Sequence, residues 1–179
     1  MTDLAWATLS SPVGPLAVAC SSAGLARVSF RATRRPAPRP GRPDPDRDRL
    51  LATARDQLAE YFAGQRQVFD LPVDWTGTSA AQRQVLEVLL LSVGFGETVT
   101  YGQLAQQAVA GPEGISLPAR AIGGIMGSNP IPVIVPCHRV VAGNGLGGYS
   151  GGTGIEVKRW LLIFEGALPA TLDWTPAGI

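Results

Sequence analysis

Pro136-Cys137-His138-Arg139-Val140 puts a thiol and an imidazole at adjacent positions, in a chain of 179 residues that holds two cysteines and one histidine. A free cysteine with a pKa of about 8.5 is only a few per cent thiolate at neutral pH, and a nearby imidazolium lowers that pKa by several units. Each unit favours the thiolate by about 1.4 kcal/mol. A nucleophile with its base is one reading of the motif. A small buried hydrophobe is the other, because free cysteine is among the most buried residue types. Sequence neighbours do not face each other on a helix, so a working Cys137 and His138 need irregular backbone or an intervening water.

The same inventory excludes other chemistry. A Cys/His zinc site of four ligands cannot be assembled from Cys20, Cys137 and His138, so no metal or other cofactor is expected. The start MTDLAWATLSS has no basic segment leading into an apolar run, and no stretch approaches the ~18 apolar residues of a membrane helix. A cytoplasmic protein with free thiols and no membrane partner is the expectation. Seven of the twelve residues from Gly143 to Gly154 are glycine, but they lack the lysine of a phosphate-binding loop. The net charge of +1 does not announce a nucleic-acid binder. From Thr76 onward five cations stand against six acids, which argues against tight binding driven by phosphates.

Positioning these residues requires a fold, and the chain reads as α+β. Trp6 to Leu9, Pro15 to Ala19 and Leu25 to Phe30 are β-prone runs separated by Pro and Gly turns, which predicts a small antiparallel sheet. Arg31 to Asp48 carries five prolines and little to bury, and reads as an exposed loop, with a nucleic-acid tail as the rarer alternative. Leu50, Leu51, Ala54, Leu58, Tyr61 and Phe62 recur at helical spacing and predict a helix covering the sheet, with Gly64 as its stop. Val68 to Leu71 is read as a further strand. Residues 1–75 thus form an N-terminal support domain, and residues 76–179 a second, mainly helical one.

In that second domain Ser79 is an N-cap candidate ahead of Val85, Leu86, Leu89 and Leu90. Thr100 and Gln103 have capping-box spacing, and after Gly111-Pro-Glu-Gly114 a short helix is expected near Leu117 to Met126. Two short helices about a turn resemble a helix-turn-helix. Ile131 to Val135 reads as a short buried strand or extended run ending at Pro136, with Cys137 at its end. Thr153 and Glu156 have capping-box spacing before a last helix whose apolar face is Ile155, Trp160, Leu161, Leu162 and Phe164.

Five motifs then occur in one order: GETVTYGQLA (Gly96 to Ala105), PARAIGGIMGSNP (Pro118 to Pro130), IVPCHRVV (Ile134 to Val141), GLGGYSGG (Gly145 to Gly152) and KRWLLIFE (Lys158 to Glu165). With them the segment Thr78 to Glu165 resembles the catalytic domain of the O6-alkylguanine-DNA alkyltransferases. That resemblance implies direct-reversal DNA repair: one transfer per molecule, from O6-alkylguanine and also O4-alkylthymine in double-stranded DNA to Cys137, after nucleotide flipping. His138 is implied as the base acting through a water, with Glu165 orienting it in a relay of triad logic. Asn129 is implied to tie the recognition helix to the cysteine segment, and Arg139 to be structural.

On the DNA side, Arg120 is implied as a finger entering from the minor groove and replacing the flipped base, whose extrusion costs a few kcal/mol. Ala119, Ala121, Gly123 and Gly124 would allow close approach of that helix. Tyr101 is implied to help rotate the nucleotide and to donate to the base. Met126, Tyr149 and Gly151 would line the pocket, the Val140 carbonyl would accept from the exocyclic amine, and Ser150 would donate to the guanine oxygen. The resemblance implies a monomer. Alkyltransferase-like proteins that bind lesions without repairing them are the alternative, and those carry tryptophan at the cysteine position.

Overall fold

The computed structural model describes residues 3–30, 44–109 and 116–170. The chain divides into two compact units, Met1–Gly77 and Thr78–Ile179.

In the first unit β1 (Ala5–Leu9), β2 (Leu16–Ser21) and β3 (Gly24–Ser29) form an antiparallel sheet in sequence order. The central strand β2 is buried along its whole length, which is why LAVACS reads as a continuous apolar run instead of alternating. Helix α1 (Pro45–Phe62) packs against all three strands. Its buried Ala54, Gln57, Leu58 and Tyr61 keep i, i+3, i+4, i+7 spacing, each large apolar member contributing about 1.5–3 kcal/mol.

Helix α1 begins earlier than its apolar stripe suggests, because Asp44 caps the Arg47 amide and Pro45 occupies the first turn, where its missing N–H costs nothing. Residues 45–48 are therefore helix; the rest of the proline-rich segment, 31–43, lies outside the described residues. The strand expected at Val68 to Leu71 is absent. Gln57 takes both backbone groups of Asp70, donating to its carbonyl at 3.1 Å and accepting from its amide at 2.9 Å. A single parallel bridge, Leu25 to Val73, follows instead.

The second unit holds α2 (Ala80–Ser92), β4 (Val99–Thr100), α3 (Tyr101–Val109), α4 (Ala119–Gly127), β5 (Val140–Val141) and α5 (Ile155–Phe164). The Ser79 hydroxyl accepts from the Gln82 amide at 3.2 Å, as an N-cap should. Thr100 and Gln103 cap reciprocally, at 3.2 Å and 2.9 Å. Helices α3 and α4 pack together as the helix-turn-helix pattern requires, although the Gly111 to Gly114 turn lies outside the described residues. Helix α5 departs from expectation: Gly154 is its N-cap, with no side-chain cap, so the Thr153 and Glu156 box does not form. No helix among the described residues is long and apolar enough to cross a membrane.

Candidate active site

Cys137 is held by a turn rather than by a strand. Across Ile131 to Val135 the Val135 amide donates to the Ile131 carbonyl at 3.0 Å, and Val133 sits at φ 74°. A β-branched residue in that region costs about 1–2 kcal/mol, so packing must hold it there; all five side chains are buried. Asn129, just past α4, clamps both ends: its amide donates to the Val135 carbonyl at 2.9 Å and its carbonyl accepts from Ile131 at 3.0 Å. The orientation of α4 and the position of the cysteine segment are thereby fixed together.

After Pro136 the chain makes one 3-10 turn, Cys137–Arg139, and enters β5, which pairs in parallel with β4. All three side chains of the turn are buried. His138, wholly inaccessible, places Nε2 2.9 Å from Oε1 of Glu165. Arg139 donates from Nε to Oε2 of Glu165 at 2.8 Å, from a terminal nitrogen to Oε1 at 2.9 Å, and from the other to the Val93 carbonyl at 2.8 Å. Glu165 is the C-cap of α5 and buried, so its unfavourable place at a helix C-terminus is offset by two strong donors.

The protonation states follow from these contacts. Burial works to raise the Glu165 carboxyl, yet the hydrogen bonds from His138 and Arg139, with the guanidinium charge, hold it at about 2, so it is ionised and accepts only. The Nε2 of His138 must then carry the hydrogen. Burial outweighs the pull of Glu165 and lowers the imidazole below its ordinary range. Nδ1 is left as a bare acceptor, without a hydrogen-bond partner among the described residues. Burial likewise raises the Cys137 thiol, against hydrogen bonds from Asn129 and Tyr149 and the charge of Lys158. By these directions Cys137 is a thiol and His138 a neutral imidazole at neutral pH.

Lys158 is a residue that the sequence reading passed over. It has no exposed surface and donates to the Val140 carbonyl at 2.6 Å and the Gly148 carbonyl at 3.1 Å, with burial lowering its amine to about 8. The signal was present in the sequence: Val157, Lys158, Leu161, Leu162 and Glu165 share one helical stripe, and that stripe, not Ile155, is the buried face. For Arg139 the resemblance implied a structural role, but local spacing could not name its partner, which lies 26 residues away.

Tyr101 opens α3, half-buried, its ring 5.9 Å from the Lys158 ammonium and its hydroxyl 3.5 Å from the Gly148 carbonyl. Gly147 lies against that ring at φ 70°, where a Cβ would come within 3.0 Å of it. Met126 is buried and Tyr149 and Gly151 are half-buried, while Ser150 is exposed and donates to the Gly127 carbonyl at 3.0 Å. Gly96, at φ 78°, approaches Glu165 so closely that a Cβ would lie 2.9 Å from its backbone oxygen. Arg120 and Ala119 stand exposed in the first turn of α4, with Ala121 half-buried behind them, and Arg120 forms no hydrogen bond or ion pair among the described residues.

Residues 4–75 match the family described as 6-O-methylguanine DNA methyltransferase, ribonuclease-like domain, and residues 80–167 match its DNA binding domain. The chain belongs to this family. Among relatives of the 6-O-methylguanine DNA methyltransferase kind, the Mycobacterium tuberculosis methylated-DNA–protein-cysteine methyltransferase is 41% identical over 160 residues, 88% of this chain and 90% of that protein. A solved Mycobacterium tuberculosis OGT in complex with DNA superposes with a TM-score of 0.72 at 38% identity, covering 90% of this chain and 92% of that one. The Thermus thermophilus DNA base-flipping protein is 38% identical over 162 residues, 89% of this chain and 99% of that protein.

Proposed function

We propose that this DNA repair enzyme takes the alkyl group of O6-alkylguanine, and of O4-alkylthymine, from double-stranded DNA onto Cys137 Sγ, once per molecule. The observation that carries the reading is the buried imidazole of His138. Its tautomer is set by an ionised Glu165, and its bare Nδ1 belongs to the residue next to the only thiol of the second unit. The thiol proton passes through a water to Nδ1, Sγ forms a bond to the alkyl carbon in line, and the carbon–oxygen bond breaks. Charge on the departing oxygen meets the Ser150 hydroxyl, while Tyr101 donates to the base and the Val140 carbonyl accepts from its exocyclic amine. A thioether has no easy route back to a thiol, so turnover stops at one.

Reaching a stacked base requires flipping, and Arg120 at the exposed start of α4 is free to occupy the gap from the minor groove. Exposed Ala119 and Gly124, with Ala121 and Gly123 beside them, let α4 approach closely. Met126, Tyr149 and Gly151 line the pocket. Residues 76–179 carry catalysis and DNA binding, residues 1–75 support them, and the protein acts as a monomer without a cofactor.

Lesion binding without transfer is a second reading, favoured by the likeness to the Thermus thermophilus DNA base-flipping protein. Disappearance of O6-methylguanine from a duplex, measured beside binding to that duplex, separates the two. Wild-type protein should remove one lesion per molecule, and Cys137→Ala should bind and remove none. Binding by both proteins with no lesion lost would establish the second reading.

A further inference from the structure

We propose that Arg139 is a positioning residue that keeps the resting His138 imidazole neutral by holding and balancing the charge of Glu165. The proposal rests on the reading of Cys137 as nucleophile and His138 as its base.

Glu165 has a fully buried side chain and three charge-bearing contacts: His138 and one Arg139 nitrogen share Oε1, and Arg139 Nε holds Oε2. The last guanidinium nitrogen is fixed on the Val93 carbonyl, so the planar fork has all three nitrogens engaged. With a neutral imidazole this buried cluster of one anion and one permanent cation sums to zero. Protonating His138 would leave it at +1, beside a second buried cation, Lys158. Without Arg139 the arithmetic reverses. A lone buried carboxylate would be neutralised by an imidazolium.

The groups that bear on this balance are Cys137 and Arg139 from the same turn and Lys158 and Glu165 from α5 and its cap, with Tyr101 of α3 facing Cys137. Burial is the largest influence lowering His138; Glu165 raises it, and Arg139 and Lys158 lower it further. Arg139 is thus the cation that cancels the carboxylate.

His138 is the only histidine of the chain, so its ring protons report one titration without assignment. In the full-length protein, Arg139→Met should raise the His138 pKa by roughly one unit or more, and Arg139→Lys, which keeps the charge but loses the fork, by less. Where Arg139→Met does not fold, Arg139→Gln is read by the same criterion, and Arg139→Lys where neither does. A folded variant with an unmoved His138 titration overturns the proposal. This titration involves no DNA, so a wild-type protein that takes no alkyl group from O6-methylguanine overturns only the reading beneath it.

Discussion

Two parts of the second unit face opposite demands. The cluster of Cys137, His138, Arg139, Lys158 and Glu165 is buried and held by hydrogen bonds from turn, helix and loop. The start of α4 and the glycine-rich stretch, with Arg120, Ala119 and Ser150, are exposed, and Arg120 has no partner among the described residues. Chemistry that depends on a chosen tautomer and a chosen charge must be set before substrate arrives, which takes burial and fixed dipoles. Recognition of a duplex must leave its donors open to water until DNA replaces it. Alterations of the first part should therefore damage folding and chemistry together, and alterations of the second should spare the fold.

Glu165→Gln should be the most destructive change to the buried part, because it leaves the Arg139 guanidinium buried without its anion. A loss of about 3–5 kcal/mol is expected in denaturant unfolding. Asn129→Ala removes both clamps on the strained turn and should cost about 2 kcal/mol by the same measurement, with transfer slowed because Cys137 is no longer fixed. Arg120→Ala should change stability by no more than about 0.5 kcal/mol, and should slow transfer from duplex DNA more than from free O6-methylguanine. Equal slowing on both substrates would remove the finger role and with it the contrast.

Of these two parts, acid should act on the buried one. The folded Glu165 carboxyl, at about 2 against an ordinary 4.5, is depressed, so its stabilisation is whole above pH 4.5 and drains away as pH falls toward 2. His138 is also depressed, so the unfolded chain gains a proton first and stability begins to decline below its ordinary 6.5. Urea midpoints measured across pH 7 to 3 should fall throughout that range, in contrast to Glu165→Gln, which should lose the lower part of the slope. Transfer rates should fall as acid protonates His138, below its ordinary 6.5, and hold level from neutral pH toward the raised range of the Cys137 thiol, because His138 takes the thiol proton.

The sequence was most informative where a residue acts on near neighbours. Ser79, Thr100 and Gln103 cap helices within four residues of themselves, and the sheet strands and the helix stripe of Ala54, Leu58 and Tyr61 follow local periodicity. It was least informative where a distant side chain takes over the backbone. Gln57 satisfies Asp70 and abolishes a strand that Val68 to Leu71 would otherwise suggest, and Asn129 turns Ile131 to Val135 into a closed loop with Val133 in the left-handed region. In the site, Cys137 and His138 stand out by type, whereas Lys158 and Arg139 look like ordinary surface cations until the α5 stripe and the C-cap of that helix are seen to be buried.

The most direct test of the account is intact and peptide mass spectrometry of the protein after incubation with duplex DNA containing O6-methylguanine. One methyl group on the peptide bearing Cys137, saturating at one per protein, is the predicted result. An unmodified Cys137 in protein that has bound the damaged duplex, or methyl groups spread over other residues, would contradict it.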